Sequence, residues 1–190
     1  MRDIVRGAVD GREVLRDFGG FYARTYPMAY RTALGICREA AIAEEATQDA
    51  YVSAFRGRDR YRGDGHPDAW LLRIVVNSAL SVLRRRSARR ATALPDEADG
   101  SIADSPRLPD PVESMAIRQA LDALDGRHRA AIVLRYYHDL DYATIARIMG
   151  TSAGNVGSML SRGLARMRTE LAEDEFDARA ALAAPAGGGS

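Results

Sequence analysis

Four neighbouring polar residues in the segment 40–58 could form a docking surface for a basic partner. At helical spacing Glu45, Gln48, Asp49 and Val52 share one face of the cylinder, and Glu44 lies next to that stripe. Alanines at 43, 46, 50 and 54 occupy another face. A face of this kind either is solvated or binds a cationic protein surface, and the spacing alone leaves both interpretations open. The four residues are Glu44, Glu45, Gln48 and Asp49.

A second set of residues, in the segment 57–86, could bind nucleic acid. Clustered arginines repel one another unless counter-charges such as phosphates neutralise them, and every basic residue of the chain is arginine, whose planar fork suits phosphate and guanine. The alternatives are an arginine-rich helix end that favours its own dipole and, for the aromatic residues, simple burial instead of base stacking. The candidates are Tyr61, Trp70, Arg73, Asn77, Arg84, Arg85 and Arg86.

A third set belongs to two short predicted helices, 141–149 and 153–171, around the turn Gly150-Thr151-Ser152. A glycine that closes one helix and a serine that caps the next are typical of a helix-turn-helix, whose second helix enters the major groove of DNA. The alternative is an ordinary helical hairpin in a bundle. The outer side of the second helix is predicted to carry Asn155, Ser158, Met159, Arg162 and Arg166.

Catalytic and metal-binding patterns are absent from the sequence. The three histidines and Cys37 have no metal-ligand spacing, and neither a phosphate-cradling glycine motif nor a nucleophile elbow occurs. We therefore expect no enzyme activity, no metal and no cofactor. A single cysteine excludes an internal disulfide framework and fits a reducing cytosol.

The composition predicts a helical protein without a membrane span. The 190 residues are rich in alanine, leucine and arginine, and aromatic residues make up only 7%. No apolar run approaches the roughly 18 residues that a membrane helix needs, and the first residues form no apolar signal core. We therefore expect a cytoplasmic, all-α protein with no membrane insertion.

The chain divides into two predicted helical domains and a linker. Prolines at 95, 106, 109 and 111, with Gly100 and Ser101, separate a domain at 10–90 from a second at 112–172. Residues 91–111 form a flexible, acidic linker, and 173–190 a disordered tail. The predicted helices are 12–38 with a kink or break at Pro27, 40–58, 67–86, 112–124, 127–137, 141–149 and 153–171.

Several motifs together resemble a known family. Residues 43–51 (AEEATQDAY) are similar to the polymerase-docking segment of bacterial extracytoplasmic-function (ECF) sigma factors, and 70–77 (WLLRIVVN) with 83–86 (LRRR) resemble their promoter-melting helix. Residues 124–129 (LDGRHR), 134–137 (LRYY) and 142–146 (YATIA) resemble their C-terminal domain. The likeness covers about residues 12–171.

This resemblance implies a function for each set. The acidic residues would face the clamp helices of core RNA polymerase, Asn77 and the loop 57–66 would engage the −10 element and hold an unpaired base, and Ser158 and Arg162 would lie at the −35 element. The flap of polymerase and an anti-sigma factor are further implied partners. Where members of the family often carry an aspartate, this chain has Ser81, and basic residues beside the recognition serine are replaced by Gly157 and Met159. These departures predict weak binding of −35 DNA.

The length of the linker sets a limit on how the two domains read DNA. Its 21 residues span roughly 70–75 Å when fully extended, and two promoter elements about two helical turns apart need roughly 70 Å. We expect polymerase to hold the domains apart so that two domains, each of which binds DNA weakly alone, bind the promoter together. Alternatives are a stand-alone helix-turn-helix regulator and an adaptor that binds only protein.

Overall fold

The computed structural model describes residues 11–63, 66–92 and 115–183, and all regular elements in these ranges are helices. The expectation of an all-α fold with two helical units is confirmed. The predicted linker at 91–111 lies outside the described residues, except for its first two positions, which belong to a helix. The helices are α1 (Gly11–Arg16), α2 (Phe18–Cys37), α3 (Ala40–Gly57), α4 (Pro67–Thr92), α5 (Met115–Asp122), α6 (Gly126–Ile132), α7 (Tyr142–Met149) and α8 (Ala153–Ala183).

The first predicted helix is divided at Asp17 and continues through Pro27, which differs from the expected break at the proline. The side chain of Asp17 accepts a hydrogen bond from the backbone N–H of Gly20 at 2.9 Å and thereby caps α2. Pro27 lies inside α2. Both Pro27 and Ala23, whose carbonyl loses its helical donor there, are exposed, so water can satisfy that carbonyl.

The N-terminal unit packs α2, α3 and α4 around small and branched side chains. Four alanines of α3 are fully buried and allow close helix packing: Ala43, Ala46, Ala50 and Ala54. From α4, Leu71, Val75 and Ala79 contribute fully buried side chains on one stripe. This packing leaves the opposite faces of α3 and α4 to the solvent, as the periodicity predicted.

The C-terminal unit contains the predicted helix-turn-helix. Asp141 caps α7 by accepting from the backbone N–H of Thr144 at 2.7 Å. Gly150 ends α7 in the left-handed region at φ 63°, which favours glycine, and Ser152 accepts from the N–H of Asn155 at the start of α8. Upstream, the predicted helix 127–137 is α6 followed by a π-helical turn at 133–137.

Two helices extend further than the sequence indicated. α4 continues to Thr92, and α8 continues to Ala183, into the segment 173–190 where a disordered tail was expected. The residues 178–183 read ARAALA, and alanine, leucine and arginine have high helix propensity, which explains the continuation.

The two units share one continuous hydrophobic core. α6 and the π-helical turn lie against α2, and α4 lies against both α6 and α7. Buried residues of both units, such as Ile36 and Leu134, belong to the same cluster. Among the helices that the structure describes, none is long and apolar enough to cross a membrane.

Candidate functional site

The acidic face of α3 is exposed as the spacing predicted. Glu44, Glu45 and Gln48 point to solvent, and Asp49 is half-buried. The side-chain amide of Gln48 donates a hydrogen bond to Glu44 at 3.3 Å. These four side chains therefore form a surface of acidic and acceptor groups, which we call the α3 acidic face.

The exposed face of α3 continues into two apolar residues, of which the sequence analysis had placed only Val52 on the stripe. Val52 and Phe55, one and two turns further along α3, are about half exposed, which is unusual for large apolar side chains. The guanidinium of Arg58 lies 3.8 Å from the centre of the Phe55 ring. Phe55 lies seven residues after Gln48, so the periodicity of α3 could have revealed it as well.

Arg85 joins the α3 acidic face to α4. One terminal nitrogen of its guanidinium lies 2.9 Å from Asp49 and 3.0 Å from Glu45. All three side chains are close to half exposed, so solvent screens the pairs. Arg86 lies 3.7 Å from Glu39. Two of the arginines expected to face DNA are thus directed toward acidic groups of the same chain.

The exposed face of α4 forms one wall of an open groove of about 750 Å³. Asn77 and Arg84 lie on this face together with Ser78 and Ser81, and Arg73 is exposed on the same side of the helix. Across the groove stand Asp49 from α3 and, from the C-terminal unit, Arg127 and Met149. The groove combines amide, hydroxyl and guanidinium groups, which suits a base and its phosphates.

The two aromatic candidates near this groove pack against each other. Tyr61 is only 5% exposed, and its ring centre lies 5.3 Å from that of Trp70. Tyr61 also closely approaches Gly11 and lies beside Pro67. The N-terminal helix α1 thus covers the ring of Tyr61, as the burial alternative expected, and base stacking by this residue stays a prediction. Trp70 is half-buried.

The outer side of α8 carries most of the predicted residues. Asn155, Ser158, Arg162 and Arg166 are exposed. The amide of Asn155 donates to Thr151 at 2.7 Å, and the hydroxyl of Ser158 donates to the carbonyl of Gly154. Arg166 lies 3.9 Å from Glu170 on the next turn.

Met159 does not belong to this outer surface. It is only 7% exposed and packs into the shared hydrophobic core, whereas the sequence analysis placed it outside. Residues 156, 159 and 160 are all buried, so the buried stripe of α8 is wider than the one predicted from Val156 and Leu160.

Two polar residues inside the molecule were not identified from the sequence. Arg129 is 9% exposed, and burial lowers the pKa of its guanidinium from the ordinary value. His138 is 4% exposed, and burial lowers the pKa of its imidazole from 6.5 to about 4. Neither residue gives a sequence signal, because Ile36, which accepts from Arg129, and Thr32, which contacts His138, are distant in the chain. Among the described residues, no three potential metal ligands come together.

Comparison with known proteins agrees with this geometry. Residues 21–89 match the family described as Sigma-70 region 2, and residues 114–167 match Sigma-70, region 4. The chain is 34% identical over 154 residues to the ECF RNA polymerase sigma factor SigE of Mycolicibacterium smegmatis, covering 79% of this chain and 58% of that protein. It is equally identical over 150 residues to the sigma factor SigM of Mycobacterium tuberculosis, covering 79% of this chain and 74% of that one.

Solved structures give the same result. The sigma factor RpoE of Bartonella quintana, in complex with the anti-sigma factor NepR, superposes with a TM-score of 0.66 at 25% identity, covering 82% of this chain and 97% of that one. CnrH, solved in complex with the cytosolic domain of CnrY, has a TM-score of 0.60 at 22% identity over 87% of this chain and 99% of that one, and shows the shared fold.

The two matched regions, the helical architecture and the helix-turn-helix define a bacterial transcription initiation factor, and the chain belongs to the sigma-70 family. Its named relatives place it in the extracytoplasmic-function group. A protein of this class binds core RNA polymerase and directs initiation at specific promoters. The match to region 2 in the N-terminal half does not favour a stand-alone helix-turn-helix regulator.

Proposed function

We propose that each of the three residue sets has a separate role in promoter-specific initiation. The α3 acidic face, extended by Val52 and Phe55, binds the basic clamp helices of core RNA polymerase. Asn77 and Arg84, with the groove around them, engage the −10 element and accept an unpaired base. Asn155, Ser158 and Arg162 on α8 contact the −35 element.

The observation that carries this proposal is the position of the groove between the acidic face and the arginines. Asp49 of the docking face and Asn77 of the DNA-binding face line the same groove. A polymerase surface bound on α3 therefore lies directly beside the strand bound on α4. This proximity explains how one small domain couples docking to the recognition of separated DNA strands.

The docking role is tested with a charge-reversed double variant, Glu45→Arg and Asp49→Arg. We expect co-purification with core polymerase to be lost while the helical circular dichroism is retained, because both side chains lie on the surface. Arg166→Glu, a charge change on the exposed face of α8, is the matched control. A folded double variant that binds polymerase as tightly as the unmodified chain would remove the docking face from the proposal.

The role of Asn77 is tested separately from docking. Asn77→Ala should lower transcription from a cognate promoter more than it lowers polymerase binding, since the side chain is exposed in the groove. The neighbouring Ser78→Ala controls for a general change of the groove. Equal losses of both activities would show that Asn77 is structural.

The remaining assignments follow from the same family. We propose that residues 10–90 and 112–172 are the two working domains, that the protein acts in the cytoplasm with polymerase, and that an anti-sigma factor restrains it. The last point is supported by the sigma factor RpoE of Bartonella quintana, which was solved in complex with the anti-sigma factor NepR. Binding of −35 DNA is expected to be weak without polymerase, because Gly157 and the buried Met159 supply no cationic contact.

A further inference from the structure

Arg24 of α2 and Asp68 in the first turn of α4 form a bidentate ion pair. The two terminal nitrogens of the guanidinium donate to the two carboxylate oxygens, each at 2.8 Å. The hydrogen bonds to Asp68 raise the pKa of Arg24 from its ordinary value. Because two parallel bonds fix an angle as well as a distance, the pair determines how the first turn of α4 lies against α2.

The carboxylate of this pair is enclosed, and His66 lies beside it. The side chain of Asp68 is 11% exposed, whereas that of Arg24 is 50% exposed. A carboxylate withdrawn from water needs a hydrogen-bond donor. Nδ1 of His66 accepts from the backbone N–H of Asp68 at 3.3 Å, so Arg24 and not His66 is the donor to the carboxylate. The carbonyl of His66 accepts from the N–H of Trp70, which completes the start of α4.

Helix α1 covers the other side of the same region. A Cβ at Gly11 would lie 2.7 Å from a ring carbon of Tyr61 and 2.9 Å from a ring carbon of Pro67, so α1 packs closely on both. A terminal nitrogen of Arg12 lies 3.5 Å from the carbonyl oxygen of Arg62. Helix α1 therefore holds the backbone that follows α3 against the start of α4.

Trp70 connects this region to the exposed face of α4. Its ring centre lies 5.3 Å from that of the buried Tyr61. Trp70, Arg73 and Asn77 follow one another at spacings of three and four residues, so they share one side of the helix. A shift of Tyr61 or of the first turn of α4 is therefore transmitted to the side of α4 that we propose for the −10 element.

We propose that Arg24 and α1 form a brace that positions the exposed face of α4 for recognition of the −10 element. Arg24 acts through Asp68, and α1 acts through Tyr61, so both are positioning elements that do not touch DNA. The inference rests on the proposed function, because the positioned face is the one that engages the −10 element. Since specificity is a difference between two affinities, a displaced face loses more of its fit to the favoured base than to a disfavoured one.

Two variants loosen the brace independently. Arg24→Lys keeps the charge but loses the planar fork, and Arg31→Lys, at an exposed position two turns further along α2, is its matched control. Gly11→Ala places a methyl group against Tyr61, whereas the Cβ of Gly19→Ala makes an ordinary contact at 3.7 Å, and this variant is the second control. Circular dichroism verifies the helical content of all four variants.

The measurement is the ratio of transcript yields from two promoter fragments, each at limiting concentration with core polymerase and the full chain. One fragment is a promoter found by run-off transcription of genomic fragments with the unmodified chain, and the other differs from it by one base pair in the −10 element. A loss of folded or polymerase-bound protein lowers both yields alike, so the ratio reports recognition alone. We expect both brace variants to lower the ratio roughly three- to tenfold, which is part of the discrimination that one base pair provides, and both controls to keep it.

The outcomes separate this inference from the proposed function. A brace variant that keeps the ratio of the unmodified chain would overturn the inference, and the proposed function stands as long as Asn77→Ala lowers that ratio. A control that lowers the ratio as much as its brace variant would also overturn the inference. An unmodified chain that supports no transcription with core polymerase would refute the proposed function first and the inference with it. A lower ratio in Arg24→Lys and in Gly11→Ala, with both controls unchanged, supports the brace.

Discussion

Arg85 of α4 and Asp49 of α3 form an ion pair at 2.9 Å. The pair joins the α3 acidic face, which is expected to bind polymerase, to the exposed face of α4, which is expected to bind DNA. The same guanidinium nitrogen is 3.0 Å from Glu45. Hydrogen bonds to Asp49 and then to Glu45 raise the pKa of Arg85 from its ordinary value. One arginine therefore pairs with two carboxylates of the α3 acidic face.

The first prediction concerns this competition. Arg85→Gln removes an internal cation from the α3 acidic face, so the basic clamp helices no longer compete with it. We expect binding to core polymerase to become a few-fold tighter at low salt, and the difference to fade as salt screens these exposed charges. Equilibrium titration of labelled protein with core enzyme at two ionic strengths measures it.

Arg84→Gln is the control for the first prediction. Arg84 is the preceding residue on α4, is exposed, and lines the groove. Its substitution should weaken promoter binding without tightening the binding of polymerase. If the two variants change polymerase affinity equally, the Arg85–Asp49 pair has no part in docking.

The second prediction concerns the pH dependence of stability. Burial lowers the pKa of His138 from 6.5 to about 4, because protonation would place a charge and an N–H at Nδ1, where the described part of the chain offers no acceptor. Between these two values the unfolded chain binds more protons than the folded one, so stability falls as pH decreases from 6.5 toward 4 and is unaffected by this group above 6.5. From pH 7 to pH 5 we expect a loss of about 2 kcal/mol from His138.

Urea denaturation of the unmodified chain and of His138→Gln at both pH values isolates this contribution. Glutamine keeps a polar tip near Thr32 but does not titrate, so the carboxylates and the other histidines contribute equally to both proteins. The variant should lose less stability on acidification, by the stated amount. Parallel pH profiles would mean that His138 already titrates normally in the folded chain.

The surfaces of this protein were largely predictable, because helical periodicity assigns exposure when the opposite face is clearly apolar. The α3 acidic face and the groove residue Asn77 were assigned to the correct sides of their helices from spacing alone. The helix-turn-helix was also predictable, since Gly150 and Ser152 are local signals whose partners lie within a few residues.

The interior contacts were not predictable, because they depend on residues that are distant in the chain. Tyr61 is buried by α1 and by its contact with Trp70, which no periodicity in the segment 57–66 indicates. Arg129 reads as one more surface arginine in the sequence RHR, yet it is buried since it finds the carbonyl of Ile36. The packing of the two units, which determines both environments, has no local signature.

The third prediction concerns the single cysteine. Cys37 is buried at the end of α2, and burial raises the pKa of its thiol to about 12. Because the thiolate is the reactive form, the folded chain at pH 8 should react with an aromatic disulfide reagent far more slowly than the chain in denaturant. Absorbance of the released thiolate measures both rates. Fast reaction under native conditions would show that the end of α2 opens readily.

The last prediction compares two glycines of α8 that differ in their surroundings. A Cβ at Gly157 would lie 3.5 Å from the ring of Tyr142, an ordinary contact, whereas a Cβ at Gly163 would lie 3.0 Å from the terminal carbon of Ile132. Alanine favours a helix interior over glycine by about 1 kcal/mol, so Gly157→Ala should raise the free energy of unfolding by roughly that amount. Gly163→Ala should gain less or lose stability, because the tight contact opposes the same helix gain. Chemical denaturation of both variants measures the difference in the free energy of unfolding. Equal stabilisation would mean that Ile132 of α6 shifts away from the new methyl group at little cost.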